Sequence, residues 1–109
     1  MEITVNNKYC IITPLSPKMD SIETDRLLEE ILRYKNKRIG IDLSEIEDCT
    51  IDFLEKINKI KNINLFNITS NIMVLLLSMN LDKKINLFAS KIDFLEDKRQ
   101  ILNRKFKLI

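Results

Sequence analysis

Apolar positions along the chain fall into short runs and helical series separated by turn signals. Met1–Val5 alternates weakly, Asn6-Asn7 signals a turn, and Tyr9–Thr13 is a β-branched run. The chain is therefore expected to open on a hairpin. Pro14 and Pro17 end the second strand, because neither can donate to a ladder. Asp20 and Glu23 have capping-box spacing around the start of an apolar series, Ile22, Leu27, Leu28, Ile31 and Leu32. That series predicts one face of an amphipathic helix ending near Lys35.

Ile39-Gly40-Ile41-Asp42-Leu43 reads as a short buried strand, followed by a polar, acidic loop from Ser44 to Cys49. Thr50, or Asp52 with Glu55, can cap a helix carrying Phe53, Leu54, Ile57 and Ile60. Ile63–Ile68 is a strand, and Thr69-Ser70 can cap a helix from Asn71 to about Met79 that is apolar on nearly every side. Ile85–Phe88 reads as a fourth central strand, and residues 91–105 as a last helix with Phe94-Leu95 echoed by Ile101-Leu102. The expected order is ββαβαβαβα over residues 1–109, one α/β domain with a mixed, mostly parallel sheet and packed helices. No internal repeat is read.

Composition narrows the chemistry. With 109 residues, 45% hydrophobic and 31% charged, the chain suits one small domain. A chain of this size buries roughly 65% of its unfolded surface and needs no disulfides to fold. The 18 Ile, 13 Lys and eleven Asn are read as the stamp of an AT-rich genome. A net charge of +2 gives no field that would select nucleic acid or an anionic membrane. Histidine is absent, which removes the commonest general base and zinc ligand and any Ser–His–Asp or Cys–His catalytic arrangement. The single glycine, Gly40, rules out a glycine-rich phosphate loop. Cys10 and Cys49 read as buried cytosolic thiols, and MEITVNN lacks a secretory core. The longest apolar run, Ile72–Leu77, falls far short of the roughly 20 residues a bilayer needs. The expectation is a cytoplasmic, non-enzymatic domain without cofactor.

Two charged stretches and one apolar stretch stand out. Asp42, Glu45, Glu47, Asp48, Asp52 and Glu55 form an acidic loop without the spacing or mid-loop glycine of a calcium loop. Helix capping explains part of it, and no metal site is expected. Lys98, Arg99, Arg104, Lys105 and Lys107 read as a solvated helix face rather than a nucleic-acid surface. Residues 71–81 are read as a helix mostly buried by its neighbours, with Met73, Leu76 and Met79 as candidates for a docking strip.

Gly40-Ile41-Asp42-Leu43-Ser44-Glu45-Ile46 resembles the signature of STAS domains, the family of bacterial anti-sigma factor antagonists. In that family a strand ending in Asp-Leu-Ser runs into a loop with an Asp-Ser-Ser-Gly-Leu-like motif that opens a helix. Lys18-Met19-Asp20 is similar to the family's Gly-Arg-Leu-Asp lead into its first helix. Asn67–Asn71, the Leu-rich helix, Met79-Asn80-Leu81 and the Ile85–Phe88 strand look like its second half, so the resemblance spans essentially the whole chain. Counted without gaps from Asp42-Leu43-Ser44, the motif's Asp falls on Thr50, its serines on Ile51 and Asp52, and its Gly on Phe53.

The resemblance implies a regulator of transcription that binds a protein partner, an anti-sigma factor of the ATP-binding serine kinase type. In the family the first serine accepts phosphate from that partner and binding is switched off. Ile51 has no hydroxyl, so that switch is expected to be missing. Thr50 is the neighbouring hydroxyl that could accept phosphate, although helix capping is its expected task. Cys49, Thr50, Ile51, Asp52, Phe53 and Ile57 are the expected partner-binding residues, with Phe53 as apolar anchor. Two other roles fit the resemblance or the pattern. One is a STAS-like accessory subunit of a membrane lipid transporter, docked through the Leu-rich helix. The other is an oligomeric scaffold whose copies meet through residues 72–81.

Overall fold

The computed structural model describes residues 1–98. The expected hairpin is present: β1 (Glu2–Val5) runs antiparallel to β2 (Tyr9–Thr13), with Ile3 opposite Ile12 and Val5 opposite Cys10. Asn6 closes the turn, its Oδ1 accepting from the backbone N–H groups of Lys8 and Tyr9 at 2.8 and 2.9 Å. There follow β3 (Lys18–Met19), α1 (Ser21–Arg33), β4 (Arg38–Asp42), β5 (Asp48–Cys49) and α2 (Ile51–Asn58). The second half is β6 (Asn64–Phe66), α3 (Ser70–Ser78), a 3₁₀ turn (Leu81–Lys83), β7 (Asn86–Phe88) and α4 (Lys91–Leu95).

The main sheet has the order β1-β2-β4-β6-β7, and every pairing after the first is parallel. This is the mixed, mostly parallel α/β architecture expected from the alternating pattern. β7 lies at the sheet's edge rather than in its middle. β3 and β5 form a separate parallel ribbon, Met19 beside Cys49, that the sequence pattern misses because two residues show no period.

Period-2 alternation sends the strands' side chains to two different cores. Cys10, Ile12, Ile39, Ile41, Leu65 and Leu87 face the larger one, which holds buried residues of α1, α2 and α3. Ile11, Phe66 and Phe88 face the other side, where Phe94 of α4 completes a small aromatic cluster. Phe94 stacks on Phe66 at 5.4 Å between ring centroids and meets Phe88 edge-on. Gly40 sits beneath that ring, and a Cβ there would lie 2.7 Å from Phe94 Cζ. The chain's one glycine is thus set by close approach of a ring to the sheet.

Ile63-Asn64-Leu65-Phe66 recurs as Ile85-Asn86-Leu87-Phe88, contrary to the reading of no repeat. Asn64, Leu65 and Phe66 lie in register with Asn86, Leu87 and Phe88 on neighbouring strands. Asn86 Nδ2 donates to Asn64 Oδ1 at 3.1 Å, and Asn64 Nδ2 donates to the Ile39 carbonyl at 2.8 Å. The buried Asn64 amide is therefore satisfied on both sides.

Helix faces depart from the sequence reading. In α1 only Thr24, Leu27 and Ile31 are buried, while Ile22 and Leu32 are exposed. In α3 Ile72 and Leu76 are buried and Val74 points away. α4 stops at Leu95 instead of continuing to residue 105. Asp97 takes a left-handed φ of 57°, and Asp97 and Lys98 donate backward to the carbonyls of Phe94 and Asp93. Arg38 reinforces that end, stacked 4.0 Å from the Phe94 ring, donating to the Phe94 carbonyl and paired with Asp97 at 3.1 Å. Ile101-Leu102 and the basic residues from Arg99 onward lie outside the described residues.

Candidate functional site

The β3/β5 ribbon starts two helices side by side. Thr50 N–H donates to the Met19 carbonyl at 3.3 Å, so the caps of α1 and α2 follow directly from paired residues. Asp20 caps α1, its Oδ1 accepting from Glu23 N–H at 2.9 Å. Thr50 caps α2, its Oγ1 accepting from Phe53 N–H at 3.1 Å. The acidic loop is fastened beneath them, with Glu47 and Asp48 N–H both donating to the Pro17 carbonyl at 2.8 and 3.1 Å. Asp42 Oδ1 accepts from Ser44 N–H at 3.0 Å and from Asn67 Nδ2 at 3.2 Å, which ties the ends of β4 and β6 together.

The partner-binding residues read from the sequence divide sharply between surface and core. Ile51, in the first turn of α2, is 56% exposed, and Asp52 beside it is exposed as well. Thr50 is half-buried, its hydroxyl engaged in the cap. Phe53 and Ile57 are fully buried, so the assignment of Phe53 as a surface anchor is corrected: the ring packs in the larger core. The reason is phase. Residues 53, 54 and 57 share the inward side of α2, while residue 51 falls about 115° off their mean direction at 100° per residue.

Cys49 is also buried, and desolvation followed by the Asp48 charge pushes its thiol from an ordinary 9.0 to about 11. Burial likewise raises the Cys10 thiol, with Glu30 adding to the rise. Both cysteines are free, and both belong to the larger core.

On the Leu-rich helix, Leu76 is fully buried and so is corrected as a docking residue, whereas Met73 and Met79 are half-buried against the core. The exposed large apolar residue of that helix is Val74, 64% exposed, beside the exposed polar Ser70, Asn71 and Ser78. The reading of a mostly buried helix holds for Ile72 and Leu76 and not for the opposite side.

Sequence reasoning missed Ile22, which stands 63% exposed in the first turn of α1. The signal was present, since Ile22 lies about 180° around the helix from the mean of Thr24, Leu27 and Ile31. Ile22 sits one turn before Asp25, and Asp52 one turn before Lys56. Lys56 Nζ bridges the two helices, 3.3 Å from Asp25 and 3.1 Å from Asp52. Its hydrogen bonds to Asp52 and then Asp25 hold the ammonium above its ordinary pKa. The result is two apolar residues, Ile22 and Ile51, at neighbouring helix N-termini above an acidic loop containing Glu45, Glu47 and Asp48. Positive dipole ends favour such carboxylates.

This end of the molecule holds exposed apolar side chains, carboxylates and a hydroxyl already used by the backbone. Among the described residues no group of three or more acidic or thiol side chains is placed to hold a metal ion. No helix among them is long and apolar enough to cross a membrane. The chain matches no family model and no curated protein.

Proposed function

We propose that this chain is a STAS-like, non-enzymatic, cytoplasmic regulatory domain that binds a protein partner through the N-terminal ends of α1 and α2. The partner class is an anti-sigma factor of the ATP-binding serine kinase type. Support comes from the element order, from Asp42-Leu43-Ser44 at the end of β4 and from the loop that leads into α2. The observation that carries the reading is the exposed Ile51 next to a Thr50 hydroxyl committed to the helix cap. The ungapped count of the resemblance sets Ile51 where the family has its phosphate-accepting serine. Without an acceptor hydroxyl at residue 51 the contact stands permanently. Phosphate would bring roughly −1.5 to −2 charge at such a place, whereas Asp52 contributes one fixed negative charge, already paired with Lys56. Ile22 and Ile51 supply apolar anchors, and the surrounding carboxylates tune rate and specificity.

Affinity capture from the native host tests this, using the native chain, Ile51→Glu and Val74→Glu. A kinase-like regulator retained by the native chain and by Val74→Glu, and lost with Ile51→Glu, is the expected outcome. Capture that is insensitive to Ile51→Glu would remove the proposed face.

A second reading is favoured by the exposed Val74 with half-buried Met73 on α3 and Met79 at its C-terminal cap. On it, the domain is an accessory subunit docked through α3 to a membrane lipid transporter, or a scaffold whose copies meet there. A permease or ATPase subunit released by Val74→Glu supports the first form. A sedimentation coefficient lowered by Val74→Glu supports the second.

A further inference from the structure

At the end of the sheet away from Thr50, where β4 and β6 begin and α1 and α2 finish, lies a cavity of about 590 Å³. Its apolar lining comes from Leu28, Ile31 and Leu32 of α1 with Ile39, Ile60 and Ile63. Ile31, Ile39 and Ile63 are buried, and Leu32 is 67% exposed. Lys35, Lys37 and Lys61 also line the cavity, as does the Arg38–Asp97 pair. Lys37 Nζ donates to the Asn6 carbonyl at 2.8 Å. Lys35 and Lys61 form no ion pair within 4.0 Å among the described residues.

Cations near the ends of α1 and α2 oppose the negative ends of the helix dipoles. That accounts for lysines there, and not for an aliphatic hollow beside them. Cavities of roughly 300–1,000 Å³ that are mainly apolar with a few polar groups are the usual form of small-ligand sites. We infer that this hollow binds a single-chain anionic amphiphile, a free fatty acid. Its hydrocarbon chain lies against Leu28, Leu32 and Ile60, and its carboxylate meets Lys35 and Lys61. Burying the chain supplies the affinity, while the lysines select the sign of the head group. This site is separate from the Ile51 face and does not depend on the reading given to it.

The test is an NMR titration of the full 109-residue chain with dodecanoate, with dodecyltrimethylammonium carrying the same chain, and with acetate carrying the same head. Dodecanoate should shift the amides of residues 28–35 and 60–63 and saturate. The cationic amphiphile should bind at least about tenfold more weakly, and acetate not at all. Leu32→Glu, at an exposed position, should lower dodecanoate affinity about tenfold or more while leaving distant resonances in place. Equal binding of both amphiphiles, shifts scattered elsewhere, or binding unmoved by Leu32→Glu would overturn the inference. So would no binding at all, the result expected if a second copy already fills the hollow.

Discussion

At residue scale, burial decides what each side chain can be asked to do. Phe53 is enclosed in the larger core, so Phe53→Ala should destabilise the fold by about 3–5 kcal/mol, read from the urea midpoint. A variant that unfolds normally yet loses a partner would restore Phe53 as a contact residue. Cys49 gives a pH signature. Its folded thiol is raised to about 11 from 9.0, so above the unfolded value the native chain keeps a proton that the unfolded chain releases. Stability therefore falls as pH climbs from 9.0 towards about 11, and Cys49→Ala should flatten part of that decline in urea midpoints taken across the range. The asparagines also acquire a use beyond genome composition. Asn62, Asn67 and Asn80 all take left-handed φ values between 53° and 59°, conformations that a chain with one glycine must give to other residues. Asn80 is exposed, so Asn80→Ala should cost about 1 kcal/mol in thermal unfolding, whereas Asn80→Gly should cost nothing. Composition alone did not show this, because a left-handed turn depends on where neighbouring elements must go.

At element scale, the strands of the main sheet and the caps at Asp20 and Thr50 were legible, and the faces of helices only partly so. The expected Thr69-Ser70 cap is corrected, since α3 starts without a side-chain cap and the Thr69 hydroxyl donates to the Ile46 carbonyl at 3.2 Å instead. Tyr9–Thr13, Asp20 and Thr50 perform the tasks their residue types suggest. Thr50→Ala should accordingly lower stability by about 1 kcal/mol through the lost cap, measured by denaturant unfolding. Apolar content misled where it was counted without phase. Ile22, Leu32 and Val74 are as hydrophobic as their buried neighbours, yet each lies on the wrong side of its helix to be covered. The two-residue strands β3 and β5 could not be seen at all. They exist because the Pro17 carbonyl and the acidic loop are pinned to one another, a tertiary effect. The short reach of α4 follows from Asp97 turning left-handed under Arg38, a partner 59 residues away in sequence. Gly40 belongs to the same contact: Gly40→Ala should cost about 1–3 kcal/mol, because Phe94 must move off the sheet.

At the scale of the whole molecule, the parallel strands give the domain two unlike ends. One gathers helix N-termini, carboxylates, Ile22 and Ile51; the other gathers helix C-termini, lysines and an aliphatic hollow. The proposed partner face occupies the first, and its defining property is an exposed side chain that cannot carry phosphate. The direct measurement is phosphate uptake and complex lifetime after ATP is added to the captured complex, for the native chain beside Ile51→Ser. The native complex should persist with Thr50 unmodified, while the Ile51→Ser complex takes up phosphate at residue 51 and comes apart. Phosphate on Thr50 of the native chain, followed by its release, would contradict a standing contact.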